Sequence, residues 1–173
     1  GGVHHLVTER EQRWVREAFS RYVSPNRVAH LVAHPEQLQL GGQRQVCSFV
    51  FTDLAGFTAM MESGDPARAV ALLNDYLDGM LGIVFRYEGT LDRIVGDAVA
   101  VLFSAPVPQA DHGQRALACA LEIDRFATAY ARTLQEQGMP WGLTRIGVHS
   151  GEVIVGNFGG KTLFDYRALG DPI

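Results

Sequence analysis

Asp53 and Asp97 are the residues of this 173-residue chain whose surroundings suit chemistry. Asp53 follows VCSFVFT (46–52), an apolar run rich in β-branched and aromatic residues that reads as a buried strand. It precedes Gly56, where the strand breaks into a helix start. Backbone N–H groups converging at such a break bind anions, and a carboxylate beside them suits a hard divalent cation. Taken alone, Asp53 reads first as the cap of the following helix. Asp97 sits in Gly96-Asp97, between the apolar segments 90–95 and 98–103. That pattern reads as a tight hairpin with a carboxylate at its tip. Arg145, entering a later apolar segment, could neutralise a phosphate or pair with a surface carboxylate.

These residues need a frame. The first strand is expected at 44–53, followed by a helical turn at 56–62. Asp65-Pro66 opens a helix whose apolar face is Val70, Leu73, Tyr76, Leu77, Met80, Leu81 and Val84, ending near Tyr87 with Gly89 as terminator. After the hairpin, Asp111 and Gln114 form the pattern of a capping box for a helix over 111–136. Its expected buried stripe is Leu117, Ala120, Leu121, Phe126, Ala127, Tyr130 and Leu134. A strand over 142–149, a turn at Ser150-Gly151, a strand over 153–158 and a short one near 163–168 complete the chain. Residues 1–43 are expected to be a helical lead-in and linker, and 44–173 the functional domain. The fold class is α+β: a ferredoxin-like βαββαβ palm with additional C-terminal strands. In that topology the first strand neighbours the hairpin, so Asp53 and Asp97 meet at one edge. Two carboxylates held together on rigid elements repel unless a cation lies between them. Mg²⁺ or Mn²⁺, two per site, with substrate phosphates completing the shell, is the expected chemistry.

Other classes are disfavoured. A formal charge of −4 without a long basic run argues against nucleic-acid binding. Cys47 and Cys119 lie in apolar patterns without metal-ligand spacing and read as packed thiols. There is no P-loop and no Ser/His/Asp constellation with its context, and His149 reads as a structural hydrogen-bonder. No apolar run approaches the roughly 20 residues of a membrane span. A cytoplasmic location is expected, with an upstream sensor domain in the parent protein.

The segments FTDLAGFT (51–58), GTLDRIVGDAVAVLF (89–103), TRIGVHSGEVIVGNFG (144–159) and FDYRALGD (164–171) together resemble the class III nucleotidyl cyclases, the adenylyl and guanylyl cyclases. AFSRYVSPNRVAHLV (18–32) is similar to the helical lead-in of bacterial members. The resemblance implies conversion of a purine nucleoside triphosphate, ATP favoured, to its 3′,5′-cyclic monophosphate and pyrophosphate. It implies that Asp53 and Asp97 bind the metals with the Leu54 carbonyl. It assigns Ala55, Gly56, Phe57 and Thr58 to the triphosphate and Arg145 to a phosphate. Arg93 and Arg167 fall at base-selecting positions, where the family carries other residues. The family works as a head-to-tail dimer with shared sites, so a homodimer is expected. Its transition-state asparagine and arginine belong to a helix after Asp171-Pro172-Ile173, so this stretch is expected to supply the metal half of a shared site. A guanylyl cyclase, or a catalytically weak nucleotide-binding regulatory domain, is the alternative. A diguanylate-cyclase relative is disfavoured by the hairpin tip Val95-Gly96-Asp97-Ala98.

Overall fold

The computed structural model describes residues 33, 43–105, 107–158 and 161–165, with side chains described for 33, 44–105 and 107–153. The lead-in over 1–43 and Arg167 otherwise lie outside the described residues. Within them the order is β1 (Gln43–Leu54), α1 (Phe57–Ser63), α2 (Pro66–Arg86), β2 (Thr90–Val95), β3 (Ala98–Phe103), α3 (His112–Glu136), β4 (Thr144–Phe158) and β5 (Lys161–Asp165). The strands form one antiparallel sheet in the order β2-β3-β1-β4-β5. The first four strands are the expected α+β ferredoxin-like palm, and β5 extends it. Among the described residues no helix is long and apolar enough to cross a membrane.

Strand β1 is central because both its edges are paired, with β3 over Ser48–Thr52 and with β4 along its whole length. Its side chains alternate between faces. Val50 and Leu54 join the main core with Val99, Val101 and Phe103 of β3 and the buried residues of α2 and α3. Cys47 and Phe49 point the other way, into a small cluster with Leu102, Ala105 and Val153 that contains no helical residue. Both long helices therefore cover one face.

Helix α2 starts as its sequence demands: Asp65 accepts from the Ala67 N–H at 3.1 Å and Pro66 takes the first position. Ala69 and Ile83 join Leu73, Tyr76, Leu77, Met80 and Val84 in the core, whereas Val70 is exposed. Glu88, at φ 59°, takes the left-handed position after the helix, and Gly89 follows it.

Three expectations are corrected. Helix α3 buries Ala116, Cys119, Ala120, Ile123, Ala127, Ala131 and Leu134, while Leu117 and Leu121 are about half exposed. Small residues face the sheet because the helix lies close to it: Gly113 approaches the Ser48 hydroxyl, which hydrogen-bonds His112 Nδ1 at 2.6 Å. The expected capping box is absent, and Asp111 instead accepts from Arg115 Nε at 2.8 Å. Ser150-Gly151 is not a turn; β4 runs unbroken for 15 residues, with Ser150 opposite Ser48 and Gly151 opposite Cys47.

Candidate active site

The end of β1 and the tip of the β2–β3 hairpin meet as the topology requires. Gly96 takes the left-handed conformation (φ 61°), which allows the tight turn and places Asp97 against the end of β1. Asp97 Oδ2 accepts the Leu54 N–H at 2.8 Å. Asp53, the preceding residue, faces its cross-strand partner Arg145 on β4. The guanidinium grips it in a two-pronged bond, Nε to Oδ1 and Nη2 to Oδ2, both 2.8 Å. The surface pairing available to Arg145 from its sequence context is thus formed, and its partner is Asp53 itself.

The two carboxylates act on the same neighbours. Hydrogen bonding and charge from Asp53 hold the Arg145 guanidinium pKa above its ordinary value, with a further contribution from Asp97. Beneath them, burial raises the Tyr76 hydroxyl pKa; the hydrogen bond to Thr144 opposes this, and the negative fields of Asp97 and Asp53 add to it. Tyr76 is fully buried, with its hydroxyl 2.5 Å from Thr144 Oγ1.

A β-bulge sets the far wall. Between Leu91 and Arg93 the β2–β3 register shifts, so Asp92 is the extra residue. Leu91 lies opposite Val101 and faces the core; after the bulge Arg93 lies opposite Ala100. Without the shift Arg93 would face the helices. The second half of β2, which its apolar sequence would bury as fully as β1, is consequently exposed. Arg93 Nε stands 3.4 Å from Asp92 Oδ2. An open cleft of about 640 Å³ lies between these walls, with Arg93 and Val95 on one side, Phe51 and Asp53 on its floor, and Arg145 and Gly147 opposite.

The turn after β1 divides its groups between anchoring and display. Gly56 is left-handed at φ 73°, and α1 begins beyond it without a side-chain cap. The Ala55 N–H donates to the Leu143 carbonyl at 2.9 Å, so this amide is used by the fold. Phe57 is buried edge-on against Trp141, leaving its backbone for any ligand, and Thr58 is exposed. Sequence reasoning missed the contribution of Trp141 and Gly142 here. The Trp-Gly pair just before β4 was the available signal.

The donor chemistry suits a hard cation. Asp53 and Asp97 supply carboxylate oxygens, each with lone pairs beyond those engaged by Arg145 and Leu54. No group of three or more His, Cys, Asp or Glu side chains placed to hold a metal occurs among the described residues. A cation here would therefore draw further ligands from backbone, water or substrate.

Residues 41–171 match the family of adenylate and guanylate cyclase catalytic domains. Adenylate cyclase 1 of Rhizobium meliloti (strain 1021) is 34% identical over 130 residues, 75% of this chain and 20% of that protein. The crystal structure of the guanylyl cyclase Cya2 matches with a TM-score of 0.65 and 34% identity, over 72% of this chain and 64% of that one. The adenylyl cyclase CyaB from P. aeruginosa matches with a TM-score of 0.69 and 30% identity, over 75% of this chain and 70% of that one. The chain spans between a fifth and a third of the length of the curated relatives it matches.

Proposed function

Since this chain belongs to the adenylate and guanylate cyclase catalytic domain family, we propose that it cyclises a purine nucleoside triphosphate, ATP in preference, to the 3′,5′-cyclic monophosphate. The ribose 3′ oxygen bonds to the α-phosphorus, the bond from that phosphorus to the α–β bridging oxygen breaks, and pyrophosphate leaves. The 3′ hydroxyl proton passes to solvent. The observation that carries the reading is the convergence of Asp53 and Asp97 through the Asp97–Leu54 hydrogen bond.

Asp53, Asp97 and the Leu54 carbonyl would hold two Mg²⁺ or Mn²⁺ ions. When bound, such ions acidify the 3′ hydroxyl and neutralise the leaving pyrophosphate. The remaining work belongs to the chain. The backbone of Gly56–Thr58 offers N–H groups to the outer phosphates at the positive end of α1, anchored by Ala55. Arg145 supplies a charge-assisted contact to phosphate in exchange for its grip on Asp53. Arg93, on the cleft wall, contacts the base, and Arg167 is its proposed partner in base selection. The exposed apolar side chains of Phe51 and Val95 on the cleft face support pairing with a second copy, and hence a homodimer. The much greater length of the relatives supports an upstream regulatory domain. A cytoplasmic location follows from the nucleotide supply.

GTP is the second reading, favoured by Arg93. An arginine fork matches the O6 and N7 acceptors of guanine, and adenine offers no such pair. Incubating the full-length protein with each nucleotide and Mn²⁺ or Mg²⁺, and identifying the cyclic product by mass spectrometry, separates the two readings. Absence of any cyclic product, with nucleotide still bound, would replace both with a regulatory nucleotide-binding domain.

A further inference from the structure

The turn after β1 is held by the segment that leads from α3 into β4. An ideal Cβ on Gly142 would stand 2.0 Å from the Ala55 carbonyl oxygen and 3.0 Å from its carbon, so only glycine permits this approach. One residue on, the Leu143 carbonyl receives the Ala55 N–H at 2.9 Å. One residue back, Trp141 meets Phe57 edge to face, with ring centroids 6.3 Å apart. Trp141 is itself immobilised: it is 1% exposed and packed against Tyr76 at 5.5 Å and Tyr130 at 5.2 Å. The segment is tied to the end of α3, where Gln135 Nε2 donates to the Trp141 carbonyl and the Met139 N–H to the Leu134 carbonyl, both at 2.8 Å.

We propose that Trp141 and Gly142 are positioning residues that set where the Gly56–Thr58 amides stand to receive a triphosphate. The proposal rests on the assignment of that turn to the triphosphate. Contacts on three successive residues, 141 to 143, fix the turn from one side. The Trp141 indole N–H has no hydrogen-bond partner among the described residues, so the ring acts by its shape. Phenylalanine there changes that shape without orphaning a polar partner. Because the brace is continuous with α3, a displacement of that helix end would move the phosphate-binding amides.

The test uses the full-length protein with Gly142→Ala, Trp141→Phe and, as a control, Leu143→Ala. The Leu143 side chain is 69% exposed, and the control keeps the carbonyl that holds Ala55. Binding of inorganic triphosphate with Mg²⁺ is followed by calorimetry, Ala55 amide exchange by NMR, and the KM and kcat for nucleotide by product formation. Gly142→Ala and Trp141→Phe should weaken triphosphate binding by about 10- to 100-fold, the cost of misplacing a site by roughly 1 Å. Both should speed exchange at Ala55 and raise KM, with Leu143→Ala matching the wild type. Should Gly142→Ala fail to fold, Trp141→Phe carries the test. Triphosphate affinity or Ala55 exchange unchanged in the folded variants overturns the proposal. Failure of the wild type to bind triphosphate is a different result: it removes the assigned role of the turn, and the positioning role with it.

Discussion

Asp97 is assigned two tasks, structural and chemical, and replacing it separates them. Its Oδ2 accepts the N–H of Leu54, a residue only 3% exposed, at 2.8 Å. A hydrogen bond to a charged group contributes about 1.5–3 kcal/mol, against about 0.5–1.5 kcal/mol for a neutral pair. Asp97→Asn keeps an acceptor in place and should lose about 1 kcal/mol. Asp97→Ala leaves the Leu54 N–H buried without that acceptor, at a cost of about 1–3 kcal/mol. In a domain of this size 1 kcal/mol moves the melting temperature by roughly 3–6 °C, so thermal unfolding should rank wild type, Asn and Ala in that order. Cation binding should not follow that ranking. Asparagine restores the hydrogen bond but not the charge, so both variants should lose Mn²⁺ affinity, read by electron paramagnetic resonance, and turnover by more than about 100-fold. An asparagine variant with wild-type Mn²⁺ affinity and turnover would refute the metal role. An alanine variant that melts with the wild type would refute the account of the Leu54 bond.

Three further outcomes follow from the packing. Tyr76→Phe removes the partner of the Thr144 hydroxyl, which is only 9% exposed, and should lower stability by about 1–3 kcal/mol in denaturant titration. Gly89→Ala would bring a methyl to 2.8 Å from Val84 Cγ1 and 2.9 Å from Phe103 Cζ, and should cost about 1–3 kcal/mol by overpacking, seen as a lower melting temperature. Burial pushes the Cys47 and Cys119 thiols up to about 12 from the ordinary 9.0, so neither should react with a thiol reagent at pH 8 until the protein unfolds. A native pKa above the unfolded one means that the unfolded chain sheds these protons first as pH rises. Their contribution to stability should therefore be constant below pH 9 and be lost between pH 9 and about 12, measurable as the difference in urea unfolding between the wild type and a Cys47→Ala, Cys119→Ala variant across that range.

The legible parts of the fold were those in which one local signal acted alone. The β2–β3 hairpin was read at 90–95 and 98–103, its observed span, because Gly96-Asp97 leaves the backbone few alternatives. Helix α3 was found, but its buried face was misread. A hydrophobic pattern takes in Leu117 and Leu121 and passes over Ala116 and Ala131, whereas the close approach to the sheet admits the alanines. The continuity of β4 was hidden because Ser150 and Gly151 look like a turn until Ser48 and Cys47 are paired with them. Of the candidate site, the two acids could be picked out from the sequence, but the geometry around them could not. A one-residue bulge aims Arg93, and register pairs Asp53 with Arg145; neither is a property of a single segment.

Strand β1 explains why fold and site are hard to alter separately. Val50 and Leu54 carry the main core, while Phe51 and Asp53, on the alternate face, line the cleft. A shift of one residue in its pairing would put Asp53 into the apolar interior and Leu54 into the cleft, so core burial itself fixes the position of the acid. Pairing at both edges reinforces this, since β3 and β4 must slip together for β1 to move. The same logic extends to the turn beyond it. Leu54 is buried, its N–H is held by Asp97 and the next N–H by Leu143, so two successive amides fix the chain before Gly56 releases it. Of the amides along this turn, those from Gly56 onward are the ones left for a ligand. The division between anchored and available backbone thus falls at Gly56, itself left-handed, and a side chain there would strain that boundary even though the space for its Cβ is open.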